Sequence, residues 1–378
     1  MTIAVYALSG DPITFGHIQI IKKSAQSFEK LIVGIGVNAS KKYLLTDDER
    51  LSIAKESLSQ FPNVHVVFFR GLLVDFAFEQ GATVIIRGVR NTQDFIEEQA
   101  LAEINNSQHQ INTFLVMSNP KFNHISSSTV KAIQKEHGSI CEYVPLPTKA
   151  ILEKKISEQF ICGITGVMGA GKSYIADQLV DFSIKLREKT LDTQKYPLVH
   201  NIELDKLGHI IYESSAPVYQ QLRKTLLQHF GTLERKEIAK IAFCEDPVSS
   251  KHHVDFLNNV FREPLKVLLR QALMDKKGII LINGALLVEQ FFLNSCNNNV
   301  ILVNANDEIR KKRLIEFRNI KSEDAEKRIA QMNSYNEKLK SILQQQQLDM
   351  YGKVFLYNNS PSSVDNIETL YFELIKQL

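Results

Sequence analysis

A phosphate-binding motif in the middle of the chain is the feature that most constrains its fold. The eight residues that begin at Gly166 read Gly-Val-Met-Gly-Ala-Gly-Lys-Ser, and they stand between an apolar run and a helical pattern. This is the sequence and the context of a P-loop. A P-loop normally follows the first strand of its own domain. The roughly 160 residues before it therefore need a domain of their own.

A second strand–loop–helix pattern begins at the N-terminus. The apolar run Ile3–Leu8 is followed by residues 9–17, which read Ser-Gly-Asp-Pro-Ile-Thr-Phe-Gly-His. Small residues at Ser9, Gly10 and Gly16 let the backbone approach a ligand, and the amides of the first helical turn favour a polyphosphate. The sequence therefore predicts two phosphate-handling sites, each opening its own domain.

Apolar runs alternate with helical periodicity along both halves, which is the pattern of parallel sheets covered by helices. In the first half we expect strands at 3–8, 31–37, 64–69, 83–86 and 112–117, with helices at roughly 17–28, 47–59, 72–80, 92–106 and 127–136. In the second half we expect strands at 160–165, 200–204, 278–282, 299–303 and 354–357, with helices at 172–182, across 215–276, across 306–345 and at the end.

Two local features and the domain bounds follow from the same pass along the chain. Residues 183–197 read as a polar insertion, and Thr46 with Glu49 reads as a capping box. We place the two domains at 1–155 and 159–378.

Composition limits the class of protein and its partners. With 378 residues, 44% of them hydrophobic and 23% charged, the chain has room for two globular cores. Its net charge of +3 is too small to indicate nucleic acid or a membrane surface as a partner. No apolar stretch approaches the ~20 residues that span a bilayer, and the N-terminus reads as a first strand and not as a signal peptide. The four cysteines are scattered without metal-ligand spacing, so we expect free thiols in a cytoplasmic protein.

The N-terminal motif carries residues that can handle an anion. Thr14 and His17 are three residues apart, so they can present a hydroxyl and an imidazole to one phosphate. Taken alone, a histidine in this position is more often a hydrogen-bonding residue at a helix start than a catalyst. The motif Asp-Pro-x-Thr-x-Gly-His that ends at His17 resembles, however, the (H/T)xGH element of the nucleotidylyltransferase superfamily.

The resemblance extends to the bacterial phosphopantetheine adenylyltransferases and covers nearly all of residues 1–150. The segments that carry it are Asn38-Ala39-Ser40-Lys41-Lys42, Glu49-Arg50, Gly71-Leu72-Leu73-Val74-Asp75, Ile86-Arg87-Gly88-Val89-Arg90, Asp94-Phe95, Asn105 and Ile125-Ser126-Ser127-Ser128. The chain departs from the family at Leu8-Ser9-Gly10, where Gly-Thr-Phe is usual. The hydroxyl is kept and the glycine moves, which affects the loop more than the chemistry.

The resemblance implies transfer of the AMP part of ATP to 4′-phosphopantetheine, which gives dephospho-CoA and pyrophosphate. Because the acceptor phosphate is itself the nucleophile, positioning and charge stabilisation suffice for catalysis. The resemblance implies that His17 contacts the α-phosphate, with Ser9 and Gly16 beside it. It implies that Lys41 neutralises the acceptor phosphate and that Arg87 and Leu73 bind the acceptor. It also implies that Arg90, Ser127 and Ser128 hold the β- and γ-phosphates of ATP and that Glu98 lies at the nucleotide.

The P-loop predicts its own chemistry without reference to a family. Loop amides at Gly166, Gly169 and Gly171 would cradle phosphates, Lys172 would reach the β- and γ-oxygens, and the Ser173 hydroxyl would hold Mg²⁺. The motif alone does not separate a kinase from a GTPase or an ATPase.

The rest of this half resembles the dephospho-CoA kinases. Asp205, at the end of a strand taken to neighbour that of the P-loop, would be the base for the ribose 3′-hydroxyl, and the stretch 306–345 would be the lid that closes over ATP. The other segments that carry the resemblance are Leu286-Leu287-x-Glu289, Arg313, Arg318, Arg328-Ile329-x-Gln331 and Asn358-Asn359, with Arg313 and Asn358 implied at ATP. The chain departs from the family at Val167, Glu263, Ala285 and the insertion 183–197, where an altered acceptor pocket is expected.

The two resemblances meet in one metabolite, because the adenylyltransferases make the dephospho-CoA that the kinases phosphorylate. We expect an α/β protein with a Rossmann-like nucleotidylyltransferase domain, then a P-loop kinase domain with helical acceptor and lid regions, in the order of the CoA synthase fusion of animals. It would use ATP and Mg²⁺ at both sites, on small-molecule substrates, and it could form a homo-oligomer. Two alternatives stay open: a kinase-like half that binds nucleotide only as a regulator, and a first half that acts on another phosphorylated acceptor, such as a pyridine mononucleotide. A pure scaffold fits least, since both sets of phosphate-handling residues would be idle.

Overall fold

The chain folds into two compact units, Met1–Ser157 and Glu158–Leu378. The computed structural model describes residues 2–378, except 39, 194, 243, 245, 286, 289–291, 319–333 and 362. Among the described residues, no helix is both long enough and apolar enough to cross a membrane.

The first unit is built on a sheet of five parallel strands, as the alternation of elements predicts. The strands are β1 (Ile3–Leu8), β2 (Lys30–Gly36), β3 (Val64–Phe69), β4 (Val84–Val89) and β5 (Asn112–Met117), in the order β3-β2-β1-β4-β5. The strand order reverses between β1 and β4. At such a switch point the loops diverge and leave a crevice at the carboxyl ends of the strands, where ligands collect in open α/β sheets.

Helices cover this sheet, and side-chain alternation divides its core between the two faces. On β2, Leu31, Val33 and Ile35 pack on one face and Ile32 packs on the other. The capping box predicted at Thr46 and Glu49 is confirmed, since each side chain bonds the other residue's amide. The helices are α1 (Phe15–Ala25), α2 (Asp47–Leu58), α3 (Leu73–Glu79), α4 (Thr92–His109), α5 (Ser127–Lys135) and α6 (Leu146–Leu152).

The second unit repeats the parallel-sheet plan with another topology. Its strands are β6 (Gln159–Gly166), β7 (Val199–Glu203), β8 (Gly278–Asn283), β9 (Val300–Asn304) and β10 (Val354–Asn358), in the order β10-β9-β6-β8-β7. The P-loop strand β6 is therefore central, with β8 and β9 beside it. All six residues of β8 are buried, as expected of a parallel strand covered on both faces.

Among the described residues, the helices of this unit differ from expectation in two places. They are α7 (Lys172–Thr190), α8 (Leu204–Glu213), α9 (Pro217–Phe230), α10 (Arg235–Ala242), α11 (Pro247–Leu273), α12 (Asp307–Arg318), α13 (Tyr335–Asp349) and α14 (Ile367–Ile375). The expectation of a polar insertion at 183–197 is wrong for its first half, because α7 continues to Thr190. Phe182 and Leu186, one turn apart on this helix, pack on the core.

The second correction concerns Asp205. It was expected at the end of a strand beside that of the P-loop, but β7 ends at Glu203, and β8 lies between β7 and β6. Asp205 instead lies in the first turn of α8.

Candidate active sites

A cavity of about 530 Å³ opens in the first unit at the carboxyl ends of its strands. It brings together side chains from the β1–α1 loop, the β2–α2 loop, the end of β4 and the start of α5. Of the residues that the sequence places at this site, those in its lining are Ser9, Gly16, His17, Lys41, Leu73, Arg87, Arg90, Glu98 and Ser127.

His17 is half-buried in this cavity with a defined hydrogen-bonding state. Its Nδ1 accepts the backbone N–H of Thr14 at 3.0 Å and lies 3.0 Å from the Thr14 hydroxyl. Burial, then the nearby charges of Arg90 and Lys41, lower the pKa of His17 to about 4. The ring is therefore neutral at pH 7, and since Nδ1 is an acceptor, Nε2 carries the proton and can donate it to a ligand oxygen.

The loop that carries Lys41 is held by polar contacts. Within the loop, the Asn38 carboxamide oxygen accepts the Ser40 amide at 2.9 Å. At its far end, the buried carboxylate of Asp11 accepts the amides of Leu44 and Leu45 at 2.9–3.2 Å. The exposed side chain of Lys41 is thus presented at the cavity mouth from a fixed backbone.

Arg50 joins the two loops that form the cavity wall. Its side chain is fully buried, and Nη1 donates to the carbonyl of Ser9 at 2.6 Å and to that of Gly36 at 2.9 Å. Nη2 donates to the Asp47 carboxylate at 2.6 Å, and the guanidinium lies 4.0 Å from the Tyr43 ring centroid. One cation therefore fixes the ends of both β1 and β2.

Each of the two cavity arginines at the carboxyl end of β4 is paired with a carboxylate of α4. Arg87 makes a two-pronged ion pair with Glu98, at 2.5 and 2.7 Å. Arg90 donates to Asp94 at 2.8 Å. Burial opposes the charged form of Arg87, but the hydrogen bond and charge of Glu98 outweigh it and raise its pKa. Both guanidinium groups are thus charged and oriented before any ligand arrives.

The serine triplet at the start of α5 divides its roles. Ser126 caps the helix by accepting the Thr129 amide at 3.1 Å, and the Ser127 hydroxyl donates to the Pro12 carbonyl at 2.9 Å. The Ser128 hydroxyl lies 2.9 Å from that of Ser126 and is not in the cavity lining. Ser127 therefore joins the amino end of this helix to the β1–α1 loop.

A second cavity, of about 470 Å³, lies over the P-loop of the second unit. Of the residues that the sequence places there, those in its lining are Gly169, Gly171, Lys172, Ser173, Asp205 and Arg313. Gly166 and Asn358 are not in the lining, whereas Asn359 is. The main-chain amide of Asn358 donates to the Asp365 carboxylate at 2.7 Å, while the Asn359 side chain donates to the Ala170 carbonyl at 2.8 Å.

The P-loop requires glycine for two physical reasons. Gly169 and Gly171 have φ of +78° and +90°, which side-chain-bearing residues rarely adopt. A Cβ on Gly169 would also lie 2.8 Å from the Arg310 carbonyl, so α12 packs directly on the loop. Both glycines line the cavity.

Arginines of α12 hold the loop from outside. Arg310, which is buried, donates to the Met168 carbonyl at 2.9 Å. Arg313 donates to the carbonyls of Ala170 at 3.0 Å and Asn359 at 2.9 Å. Arg313 thus links the P-loop to the segment after β10 while lining the cavity.

Polar side chains of β7, α8 and β8 line this cavity together with Ser173. Asp205, Glu203 and Asn283 are in the lining, and the side-chain nitrogen of Asn283 lies 3.5 Å from the Ser173 hydroxyl. Glu203 is paired with Lys206 at 2.5 Å, whereas the exposed Asp205 lines the cavity from the first turn of α8.

Comparison with known proteins identifies the first unit. A family model described as cytidylyltransferase-like matches residues 9–133. The phosphopantetheine adenylyltransferase of Caldanaerobacter subterraneus subsp. tengcongensis is 39% identical over 161 residues, which are 42% of this chain and 98% of that protein. The phosphopantetheine adenylyltransferase of Geotalea daltonii is 42% identical over 158 residues, with the same coverage of both chains.

The chain belongs to the phosphopantetheine adenylyltransferase family. Beyond the part shared with that family, a model described as dephospho-CoA kinase matches residues 160–345. The chain is therefore a fusion of an adenylyltransferase-family unit with a dephospho-CoA kinase domain. Among solved structures, the crystal structure of TT1252 from Thermus thermophilus covers 58% of this chain and 98% of its own, with 22% identity and a TM-score of 0.42.

Several residues that build the adenylyltransferase-family site received no role from the sequence. They are Asp11, Asn38, Arg50 and Asp94, and each stands in a motif segment that carries the family resemblance. That position is the signal that could have found them. In the kinase domain, Arg310 and Asn283 carry no such signal. The motif residues Leu286, Glu289, Arg328, Ile329 and Gln331, and the side chain of Arg318, lie outside the described residues.

Proposed function

We propose that this protein carries out the last two steps of coenzyme A synthesis, adenylyl transfer from ATP to 4′-phosphopantetheine and then phosphorylation of dephospho-CoA on its ribose 3′-hydroxyl. The observation that carries the proposal is that one chain holds two phosphate-handling cavities, in units of two families that share dephospho-CoA. Because its substrates would be ATP and phosphorylated acceptors, we expect the protein to act in the cytoplasm.

In the first reaction, an oxygen of the acceptor phosphate attacks the α-phosphorus of ATP. A P–O bond forms there while the bond from the α-phosphorus to the bridging oxygen breaks, and pyrophosphate leaves with that electron pair. The neutral His17 donates its Nε2–H to a non-bridging oxygen, where charge accumulates in the transition state. Since a phosphate is already a competent nucleophile, no group of the chain has to accept a proton.

Cations of the first cavity hold the reacting phosphates. Lys41 lies at the cavity mouth and neutralises the acceptor phosphate, and Arg87 binds that acceptor near Leu73. Arg90 and Ser127 hold the β- and γ-phosphates from the cavity lining, and Ser128, which is not in that lining, would contribute through its main-chain amide in the first turn of α5. Ser9 and Gly16 form the wall beside His17, and Glu98 keeps the Arg87 guanidinium in the plane that a phosphate needs.

In the second reaction, the ribose 3′-oxygen attacks the γ-phosphorus of ATP. The bond from that phosphorus to the β–γ bridging oxygen breaks, and ADP leaves with the electron pair. Asp205 accepts the hydroxyl proton, Lys172 and the P-loop amides bind the transferred phosphate, and Arg313 binds from α12. Asn359, which lines the cavity, contacts the nucleotide, with Asn358 next to it in the chain. Hydroxyl and carboxylate oxygens are ligands that Mg²⁺ prefers, so Ser173, with Asp205 and Glu203 in the same cavity, would hold the ion, which would supply positive charge against the phosphates.

Mass spectrometry of the full chain with 4′-phosphopantetheine, ATP and MgCl₂ tests both assignments. We expect coenzyme A from the wild type, dephospho-CoA alone from Lys172→Ala, and neither product from His17→Ala. His17→Ala should still convert added dephospho-CoA to coenzyme A, which shows that it is folded. His65→Ala and Lys189→Ala, which each change one exposed residue, in the first and second unit respectively, are the matched controls and should behave as the wild type.

Each other outcome contradicts one part of the proposal. Dephospho-CoA that accumulates in the wild type would make the second unit a nucleotide-binding regulator. Adenylyl transfer to a pyridine mononucleotide in preference to 4′-phosphopantetheine would reassign the first cavity to another acceptor.

A further inference from the structure

Three histidines of the second unit converge on one point outside its nucleotide cavity. His229 is the next-to-last residue of α9, and His252 and His253 lie side by side in the second turn of α11. One ring nitrogen from each histidine lies within 4.8 Å of the other two. None of the three lines the cavity over the P-loop, so the reactions proposed above leave this cluster without a role.

Aromatic side chains hold the central ring in place. The His229 imidazole stacks on Phe256 with centroids 3.7 Å apart and planes 8° from parallel. Phe230 meets the same ring edge-on, at 4.6 Å and 74°. Phe230 follows His229 on α9, and Phe256 lies one turn after His252 and His253 on α11. The helices that supply the imidazoles therefore also supply the apolar backing that orients His229.

The nitrogen atoms are spaced for coordination by a single ion. Nε2 of His229 lies 3.0 Å from Nδ1 of His253, a distance that one shared proton can bridge. In a tetrahedral site with metal–nitrogen bonds of about 2.1 Å, ligand nitrogens lie about 3.4 Å apart. The cluster already has one pair near this spacing, and the nitrogen of the exposed His252 lies within 4.8 Å of both other ligand atoms.

The ligand type selects the class of metal. Three imidazoles suit zinc, copper, nickel or cobalt, whereas Mg²⁺ prefers oxygen ligands. The site therefore differs in ligand type from the cavity over the P-loop, where Ser173, Asp205 and Glu203 offer oxygen. The carboxyl end of α9, where His229 lies, carries the negative end of the helix dipole and favours a cation.

We propose that His229, His252 and His253 form a binding site for one divalent transition-metal ion of the zinc class. The ion clamps the end of α9 to the start of α11, two helices of the core that packs beneath β7 and β8. With three protein ligands and His252 exposed, the fourth coordination position opens to solvent. Binding stabilises the second unit, because the folded chain brings the three ligands together and the unfolded chain does not.

Calorimetric titration of the full chain with zinc tests this site, after EDTA treatment and with millimolar MgCl₂ present to occupy oxygen-ligand sites. We expect one zinc ion per chain in the wild type. His252→Asn removes an exposed ligand without disturbing the stack on Phe256, and it should weaken this binding by more than the ~10–100-fold that loss of an outer-shell partner costs. His65→Asn, which removes an exposed histidine of the first unit, should bind zinc as the wild type does.

Cobalt(II) supplies a second readout that separates this site from adventitious binding by thiols. Bound by three imidazoles, cobalt should give visible bands without the intense near-ultraviolet charge-transfer band of a thiolate ligand. The proposal is overturned if His252→Asn and His229→Asn bind zinc like the wild type, or if the cobalt spectrum shows sulfur ligands. The zinc affinity of His229→Asn is interpreted only if its far-ultraviolet circular dichroism matches that of the wild type. If it does not, the zinc affinity of His252→Asn alone tests the proposal.

Discussion

Different parts of the chain form the phosphate sites in the two cavities. In the first unit, side chains carry the positive charge, and the arginines at the carboxyl end of β4 are each oriented by a carboxylate of α4. In the second unit, the glycines of the P-loop line the cavity, and arginines of α12 hold that loop through its carbonyls. One site is preorganised by ion pairs, and the other by glycine conformations and by contacts from outside.

The two sites should therefore be sensitive to different substitutions. A cavity built from side chains should respond to single charge deletions in its lining, whereas a P-loop should respond chiefly to changes in the few groups that reach past the backbone. The exception in the first unit is Arg50, which fixes main-chain carbonyls in the manner of Arg310 in the second.

Arg50→Met should produce the largest change in stability. It leaves the half-buried carbonyls of Ser9 and Gly36 without their donor, and each orphaned group costs ~1–3 kcal/mol, so we expect a loss of about 3 kcal/mol from the first unit. Urea unfolding read by hydrogen exchange of peptides from β1 and β2 measures it. Arg70→Met is the matched control, because Arg70 binds the same Asp47 carboxylate from an exposed position. Equal losses in the two variants would show that the pair with Asp47, and not the carbonyls, stabilises the loops.

Asp205→Asn should lower the turnover of the kinase step by at least ~10²-fold, the usual scale for a positioned general base. The side chain keeps its size, so binding of ATP should change little. The assay is phosphorylation of added dephospho-CoA, with Asp181→Asn, an exposed carboxylate on α7, as the control. Full turnover in Asp205→Asn would transfer the role of base to another group, and Glu203 would be the next to test.

Glu98→Gln should have a smaller effect, confined to substrate binding in the first cavity. Glutamine keeps a hydrogen-bond acceptor but removes the charge that fixes Arg87, so we expect the KM for 4′-phosphopantetheine to rise several-fold with kcat nearly unchanged. Glu97→Gln is the control, since Glu97 lines the same cavity and bonds Gln93 instead. Equal effects in the two variants would mean that the general field of the cavity matters and the pairing does not.

The sequence predicted both parallel sheets because alternating apolar runs and helical patterns depend on local side-chain periodicity. It could not predict that β8 lies between β7 and the P-loop strand, since strand order depends on long-range packing that no local pattern records. The motifs placed most residues of each site at a cavity. They could not show that Arg87 is already paired, because its partner Glu98, eleven residues further on, meets it only when α4 folds back along β4. The pair of Arg90 with Asp94 spans only four residues and is local. The role of Arg310 depends on packing between elements far apart in the chain.

The protonation of His17 gives the smallest effect and the sharpest test of the side-chain site. Burial and the charges of Arg90 and Lys41 lower its pKa to about 4, so the Nε2–H donor should persist from pH 8 down to pH 5. Because the unfolded chain binds the proton near pH 6.5, His17 contributes stability above that pH, and this is lost as the pH falls from 6.5 towards 4. Nitrogen NMR, with the resonance assigned through His17→Gln, should show a neutral ring at pH 5.5. A midpoint near 6.5 would mean that His17 is solvated and cationic during catalysis in mild acid. The first cavity would then rely on net charge, and not on a neutral donor, at the α-phosphate.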